Sequence, residues 1–234
     1  MITLNQNPKP TPVASPLTRR CFGVLLALAC LAGPGASWTH ATQPSPSQPS
    51  PLILVVGDSL SAEYGLQRGQ GWVALLAERL QGQKSSATVI NASISGDTTS
   101  GGRSRLGPLL QQHKPTVVII ELGGNDALRG LPMAMTRDNL QAMTRAAQSA
   151  GARVLLLGMQ VPPNYGQAYA KEFAAAFSQV AHDNQAALVP FFLKGVADGA
   201  EASKLFQPDR IHPLAQAHPT LLNNVWPVLQ KLLR

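Results

Sequence analysis

The sequence predicts an α/β protein of three layers, α/β/α, around a five-stranded parallel sheet. Three observations lead there. Short runs of aliphatic and β-branched residues alternate with longer stretches of helical periodicity, and those short runs are apolar almost throughout rather than at every second position. From Leu52 onward the chain also has about 180 residues and no internal repeat, a length that suits one domain around one core. Strands that alternate with helices pair in parallel, and a strand apolar on both faces needs a helix layer on each, as in a doubly wound sheet.

Taken in order, residues 52–56 (Leu-Ile-Leu-Val-Val) form the first strand, stopped by Gly57. A helix over 71–82 leads to a second strand at 87–91 (Ala-Thr-Val-Ile-Asn), and a helix over 101–112 leads to a third at 116–121 (Thr-Val-Val-Ile-Ile-Glu). The fourth strand, 153–158, is bracketed by helical patterns at 136–150 and 168–185. The fifth, 187–191, is the weakest, and the helical pattern at 214–233 is interrupted by Pro219 and Pro227, which lack the amide a helix interior uses. Ligands bind such sheets beyond the carboxyl ends of the strands, so chemistry is expected just after Val56, Asn91, Glu121 and Gly158.

The first 41 residues hold no acid, three bases (Lys9, Arg19, Arg20) and an apolar core from Cys21 to about Gly33. That core is too short to span a membrane and reads as an export signal, so a periplasmic or secreted protein is expected. Thr39-His40-Ala41 offers a small-x-small cleavage site, with cleavage after Ala36 an alternative. The run Thr18-Arg19-Arg20-Cys21-Phe22 is similar to a twin-arginine signal and leaves two export routes open. A lipoprotein route through Cys30 is weakened by the poor fit of the preceding Ala27-Leu28-Ala29. Both cysteines fall in this segment, so the mature chain is expected to have no disulfide, no thiolate chemistry and no cysteine-bound metal. Residues 42–51 read as a Pro/Ser-rich disordered linker and 52–234 as the folded domain. Three positive charges of the net +7 leave with the signal, and no basic cluster with interleaved aromatics remains, which argues against nucleic acid as a partner.

Ser59, in Gly57-Asp58-Ser59-Leu60-Ser61, stands where the first strand gives way to a turn. A hydroxyl there is exposed at the sheet edge with backbone amides beside it, the setting of a nucleophile, although Asp and Ser are equally suited to capping a helix. Two further loops fall on the same edge. Ser93-Ile94-Ser95-Gly96-Asp97-Thr98-Thr99 follows the second strand, with Gly96 permitting close backbone approach. Gly123-Gly124-Asn125-Asp126 follows the third, with Asn125 offering a neutral amide donor. A backbone N–H and a side-chain amide together suit a developing oxyanion without adding a charge. Among the histidines, His113 and His182 lie in polar surroundings, and His40 leaves with the signal. Asp209-Arg210-Ile211-His212-Pro213 puts a carboxylate three residues before an imidazole, close enough to fix its tautomer, whereas His218 has no such acid. His212 is therefore the expected base.

These residues together carry a family resemblance. Gly57-Asp58-Ser59-Leu60, Gly96, Gly123-Gly124-Asn125-Asp126 and Asp209-x-x-His212, in this order over 52–234, resemble the four sequence blocks of the GDSL or SGNH hydrolases. The longer runs 91–98, 121–130 and Pro163-Asn164-Tyr165-Gly166 are similar to the bacterial periplasmic thioesterase/lysophospholipase/arylesterase subgroup. The resemblance implies a flavodoxin-like sheet and a serine esterase. It implies Ser59 as nucleophile, His212 as base and then acid, and Asp209 as its orienting carboxylate. The oxyanion hole would be the Ser59 and Gly96 N–H groups and the Asn125 amide, with Asp58 structural. The sequence departs from the pattern at Arg210, where the family often has glycine, which bears on the loop's backbone angles and not on the two functional positions. No Gly-x-Ser-x-Gly elbow is present.

Substrates are expected to be small-molecule acyl esters, thioesters or lipids, with no cofactor, no metal and a monomeric enzyme. Segments 128–135 and 160–165 are apolar or rich in glycine and proline, making Leu128, Pro163 and Tyr165 candidate substrate contacts unless these residues simply cover the sheet. Two rival readings are a carbohydrate O-acetyl esterase on the same fold and a non-catalytic envelope-binding protein, the second disfavoured by the intact serine, glycine, amide and Asp/His set.

Overall fold

The computed structural model describes residues 50–234; the expected export signal over 1–41 and nearly all of the 42–51 linker lie outside them. Five strands, β1 (Leu52–Gly57), β2 (Thr88–Asn91), β3 (Val117–Glu121), β4 (Arg153–Leu157) and β5 (Ala187–Val189), form one sheet in the order β2-β1-β3-β4-β5. Every pair is parallel. This is the flavodoxin-like order, and its reversal of direction between β1 and β3 opens the crevice where such folds bind ligands. β3 is buried along its whole length and β1 from Ile53 onward, which is why both read as unbroken apolar runs.

Six helices complete the layers: α1 (Trp72–Gly82), α2 (Thr99–His113), α3 (Gly124–Leu128), α4 (Met133–Ser149), α5 (Gln167–Asp183) and α6 (His218–Leu232). α1 and α6 pack together against one face of the sheet, and α2, α4 and α5 against the other. α5 illustrates the sequence logic. It buries Phe173, Ala176, Phe177, Val180 and Ala181, the i, i+3, i+4, i+7, i+8 stripe of an amphipathic helix. Phe177 also supports the third loop, since a Cβ on Gly123 would lie 3.0 Å from its ring. Gly123 itself has φ +119°, a conformation L side chains rarely adopt. Phe177→Ala is expected to destabilise the protein by about 3–5 kcal/mol, read as a lower urea midpoint at unchanged slope.

Several boundaries differ from expectation, each for a local reason. α2 starts at Thr99 because the Thr98 hydroxyl accepts the Gly101 N–H at 3.3 Å and caps it two residues earlier than 101. α4 starts at Met133, directly after Pro132. α3 was not foreseen, because five residues carry too little periodicity to read. The expected break at Pro219 is instead the first turn of α6, where a missing amide costs nothing, and residues 215–217 form a separate 3₁₀ turn. Pro227 sits inside α6 without ending it. β5 stops at Val189 because Pro190 has no N–H for the ladder.

Candidate active site

Two distant parts of the chain meet at the carboxyl edge of β1. Ser59 lies just beyond the strand and His212 in the loop before α6, yet the His212 Nε2 is 2.8 Å from the Ser59 Oγ. The other ring nitrogen, Nδ1, is 2.7 Å from Asp209 Oδ2. Asp209 Oδ1 accepts the backbone N–H groups of Ile211 (2.9 Å) and His212 (3.0 Å), so the carboxylate folds its own loop around the ring it orients. Burial raises the Asp209 carboxyl, but hydrogen bonds from the His212 ring and from the His212 and Ile211 amides outweigh it and draw it down to about 2. The Tyr64 ring covers the imidazole, with centroids 4.3 Å apart.

The loop is fastened from both sides. Gln207 N–H donates to the His212 carbonyl at 2.8 Å, Gln207 Nε2 donates to the Tyr64 carbonyl at 2.9 Å, and Phe206 bridges to Pro213. Arg210 adopts φ +59°, so the position where glycine is usual holds a left-handed arginine, a conformation that costs roughly 1–2 kcal/mol for a residue with a Cβ. The Asp209 and His212 geometry is intact despite it.

The expected oxyanion donors stand in unequal settings. Asn125, in α3, shares a cavity wall with Ser59. One N–H of its amide is already engaged, donating to Asp58 Oδ2 at 3.0 Å. Gly96, at φ +79°, sits in a loop joined to the Ser59 turn by the Ile94 N–H, which donates to the Gly57 carbonyl at 3.0 Å. Its carbonyl accepts from Arg129 at 2.8 Å. Among the described residues, no backbone acceptor takes the N–H of Ser59 or Gly96. Arg105 of α2 ties the loops together, pairing with Asp97 at 2.8 Å and donating to the carbonyls of Ala92 and Gly57.

Two further acids are held in place close to these loops. Asp126 is fully buried and accepts from the Thr99 amide (2.9 Å), the Thr99 hydroxyl and the Thr136 hydroxyl (3.2 Å), locking the third loop to α2 and α4. Asp58 is buried beside Ser59; burial pushes its carboxyl up to about 6, opposed by the Leu60 amide, the Asn125 side chain, the His212 charge and Glu121. His218, the rival histidine, is buried in α6, where its Nδ1 accepts the Trp72 N–H at 3.0 Å and burial lowers its pKa; it makes no hydrogen bond to the Ser59 hydroxyl, which His212 holds. His182 is exposed. Among the described residues, no group of three or more His, Cys, Asp or Glu side chains is placed to hold a metal ion.

A cavity of about 790 Å³ opens from Ser59 and His212 into an apolar interior. Leu128 and Tyr165 line it. Pro163 opens the 3₁₀ turn Pro163–Tyr165, whose neighbour Pro162 faces the cavity. The far wall was not foreseen: Phe191, Leu193, Ala197 and Phe206, from the segment after β5, together with Met159 and Phe173. The run Phe191-Phe192-Leu193 is the visible signal in the sequence, but Phe191 also falls within the expected fifth strand.

A doubly wound sheet with a serine, an imidazole and a carboxylate in series at its carboxyl edge defines a serine hydrolase. The chain belongs to the GDSL-like Lipase/Acylhydrolase family, whose model matches residues 55–219. It is 52% identical to the esterase TesA of Pseudomonas aeruginosa over 77% of this chain and 89% of that protein. It is 39% identical to the Escherichia coli protein named thioesterase 1/protease 1/lysophospholipase L1, over 77% of this chain and 84% of the other. Among solved structures, the psychrotrophic esterase EstA from Pseudoalteromonas sp., inhibited by monoethylphosphonate, superposes with a TM-score of 0.72 at 42% identity, covering 77% of this chain and 97% of that one.

Proposed function

We propose that the protein is an exported serine esterase that hydrolyses carboxylic esters and thioesters through an acyl-enzyme on Ser59. Aryl esters, short- to medium-chain acyl esters and lysophospholipids are its substrate classes. The observation that carries this reading is the unbroken series from Asp209 Oδ2 to His212 Nδ1 (2.7 Å) and from His212 Nε2 to Ser59 Oγ (2.8 Å), at the mouth of an apolar cavity.

Each step follows from that geometry. Ser59 Oγ attacks the acyl carbon while His212 Nε2 takes its proton; the carbonyl electron pair moves to oxygen, and the Ser59 N–H, Gly96 N–H and Asn125 amide receive the charge. Asp209 holds the imidazole in the tautomer with Nδ1 protonated and stabilises the imidazolium. The intermediate collapses as the C–O or C–S bond breaks, and His212 returns the proton to the leaving alcohol or thiol. A water molecule, deprotonated by His212, then attacks the acyl-enzyme and releases the acid and Ser59. Leu128 and Tyr165 form part of the wall along which the acyl chain lies, with Pro163 in the turn beside it. The apolar lining favours acyl chains over the acetylated-sugar alternative, and one methylene more or less changes transition-state binding by only about 1–3 kcal/mol, so chain-length selectivity is shallow.

Labelling with a fluorophosphonate tests the reading directly: the wild-type protein is labelled and hydrolyses p-nitrophenyl esters, with a medium-chain ester preferred to the acetate. A folded protein that turns over no ester, or only an acetylated glycan, overturns it. Asn125→Ala is expected to lower kcat by roughly 10²–10³-fold with little change in KM, because the amide acts on the oxyanion and not on the ground-state ester.

A further inference from the structure

Beneath the nucleophile turn lies a buried acid that the ester chemistry does not use. Glu121 ends β3, and the sheet register pairs it with Gly57 of β1, so its carboxyl enters the turn that carries Ser59. A Cβ on Gly57 would lie 2.9 Å from Glu121 Oε2 and 2.8 Å from Ser61 Oγ; the absent side chain is the room those two groups occupy. Glu121 is only 1% exposed. Its Oε2 accepts the Ser61 hydroxyl at 2.7 Å and the Asp58 N–H at 3.4 Å, and Ser61 in turn accepts Trp72 Nε1–H at 3.1 Å.

The other oxygen is the informative one. Glu121 Oε1 is buried and has no hydrogen-bond partner. An ionised carboxylate with one bare oxygen in an apolar interior is strongly disfavoured, whereas a carboxylic acid turns that oxygen into a donor. The acid beside it is Asp58, whose N–H Glu121 already accepts: burial and then the Asp58 charge hold Glu121 well above the usual carboxyl range, and a hydrogen bond from the Glu121 side chain is among the interactions that lower Asp58. The other charged groups facing the pair are the His212 ring and Arg105, which is committed to Asp97 and to the Gly57 carbonyl (3.3 Å). Asp58 then passes the constraint outward, its Oδ1 holding the Leu60 N–H and its Oδ2 the Asn125 amide, each at 3.0 Å.

We infer that Glu121 is a positioning residue for the reaction: as a neutral acid it donates to Asp58, keeps that carboxylate as the acceptor of one Asn125 N–H, and so aims the second N–H of the same amide at the oxyanion. The proton stays on Glu121 throughout the cycle. This rests on the esterase reading above. Failure of that reading appears as a wild-type protein without turnover, while failure of this one appears among variants of an active parent.

The experiment compares E121L, E121Q, N125A and the double variant E121L/N125A on a p-nitrophenyl ester, with thermal melting as the folding control. E121L, which cannot donate, is expected to lower kcat by roughly 10²-fold with KM near wild type, since displacing an aligned group by about 1 Å has an effect of that size. E121Q is expected to rescue most of the loss, because its amide donates to Asp58 and still accepts from Ser61. In the N125A background E121L should add little, because the group it positions is gone. A merely structural glutamate would not show that coupling. Difference infrared spectra at neutral pH should also contain a protonated-carboxyl band that E121Q removes. The inference is overturned if E121L keeps full kcat, if its loss persists undiminished in N125A, or if the band is absent. Should E121L fail to fold, a folded E121Q that loses as much kcat as N125A overturns it equally.

Discussion

Ser59→Ala and His212→Ala are each expected to lower kcat by roughly 10⁴-fold or more, and the double variant to be hardly worse than either alone. The reason lies in the 2.8 Å contact between them. A serine hydroxyl without a base is a poor nucleophile, and an imidazole without the hydroxyl has nothing to deprotonate, so the second substitution removes a partner that had already lost its use. Residual turnover then comes from the oxyanion donors and substrate binding. Steady-state kinetics on a p-nitrophenyl ester measure it, and loss of fluorophosphonate labelling in Ser59→Ala with an unchanged melting temperature separates chemistry from unfolding. Activity retained in His212→Ala and abolished in a folded His218→Ala would make His218 the base. The burial of His218 and its bond to the Trp72 amide predict the opposite.

Asp209→Asn is expected to cost roughly 10⁴-fold in kcat while leaving the loop in place. Asparagine still fits, but its amide can present a donor to Nδ1, which selects the tautomer that turns a protonated Nε2 toward Ser59. The pH dependence carries a definite sign. The folded carboxyl sits at about 2, below its ordinary 3.8, so the support it gives the loop is present above pH 3.8 and is lost only as the pH falls toward 2. Asp209 is therefore ionised throughout the working range. The asparagine variant should lose rate at every pH of that range, and a variant that keeps wild-type kcat there would contradict the assignment.

The parts of this molecule that were legible from sequence share a cause. β1 and β3 are buried on both faces, so their apolar runs could hardly be read otherwise, and the three loops at 57–61, 93–99 and 123–126 were legible because a parallel sheet gathers its chemistry at one edge. Asp209 and His212 were legible as a pair since their partnership is local, three residues apart. Glu121 was hidden for the opposite reason: its significance comes from β1, through a cross-strand register and a missing Cβ at Gly57 that no local pattern records. Asp58 was recognised as structural, but its hold on Asn125 spans 67 residues and is a matter of packing. The far wall of the cavity lies in a segment with neither helical nor strand period, which leaves periodicity nothing to detect. Arg210 marked a departure from the family pattern, and only the backbone showed that an arginine takes up the left-handed conformation there.

Ser59 and His212 stand 153 residues apart in the chain and meet only where the first strand and the last loop close on each other. During synthesis Ser59 therefore leaves the ribosome long before His212 exists, and on the proposed mechanism the growing chain carries a hydroxyl that cannot yet react. Hydrolysis begins only when all five strands and the loop before α6 have been assembled, because contacts this far apart in sequence require the whole intervening topology. Recovery of turnover thus reports completed folding more stringently than helical signal does, and any chain cut short before residue 212 is inert whatever structure it has gained.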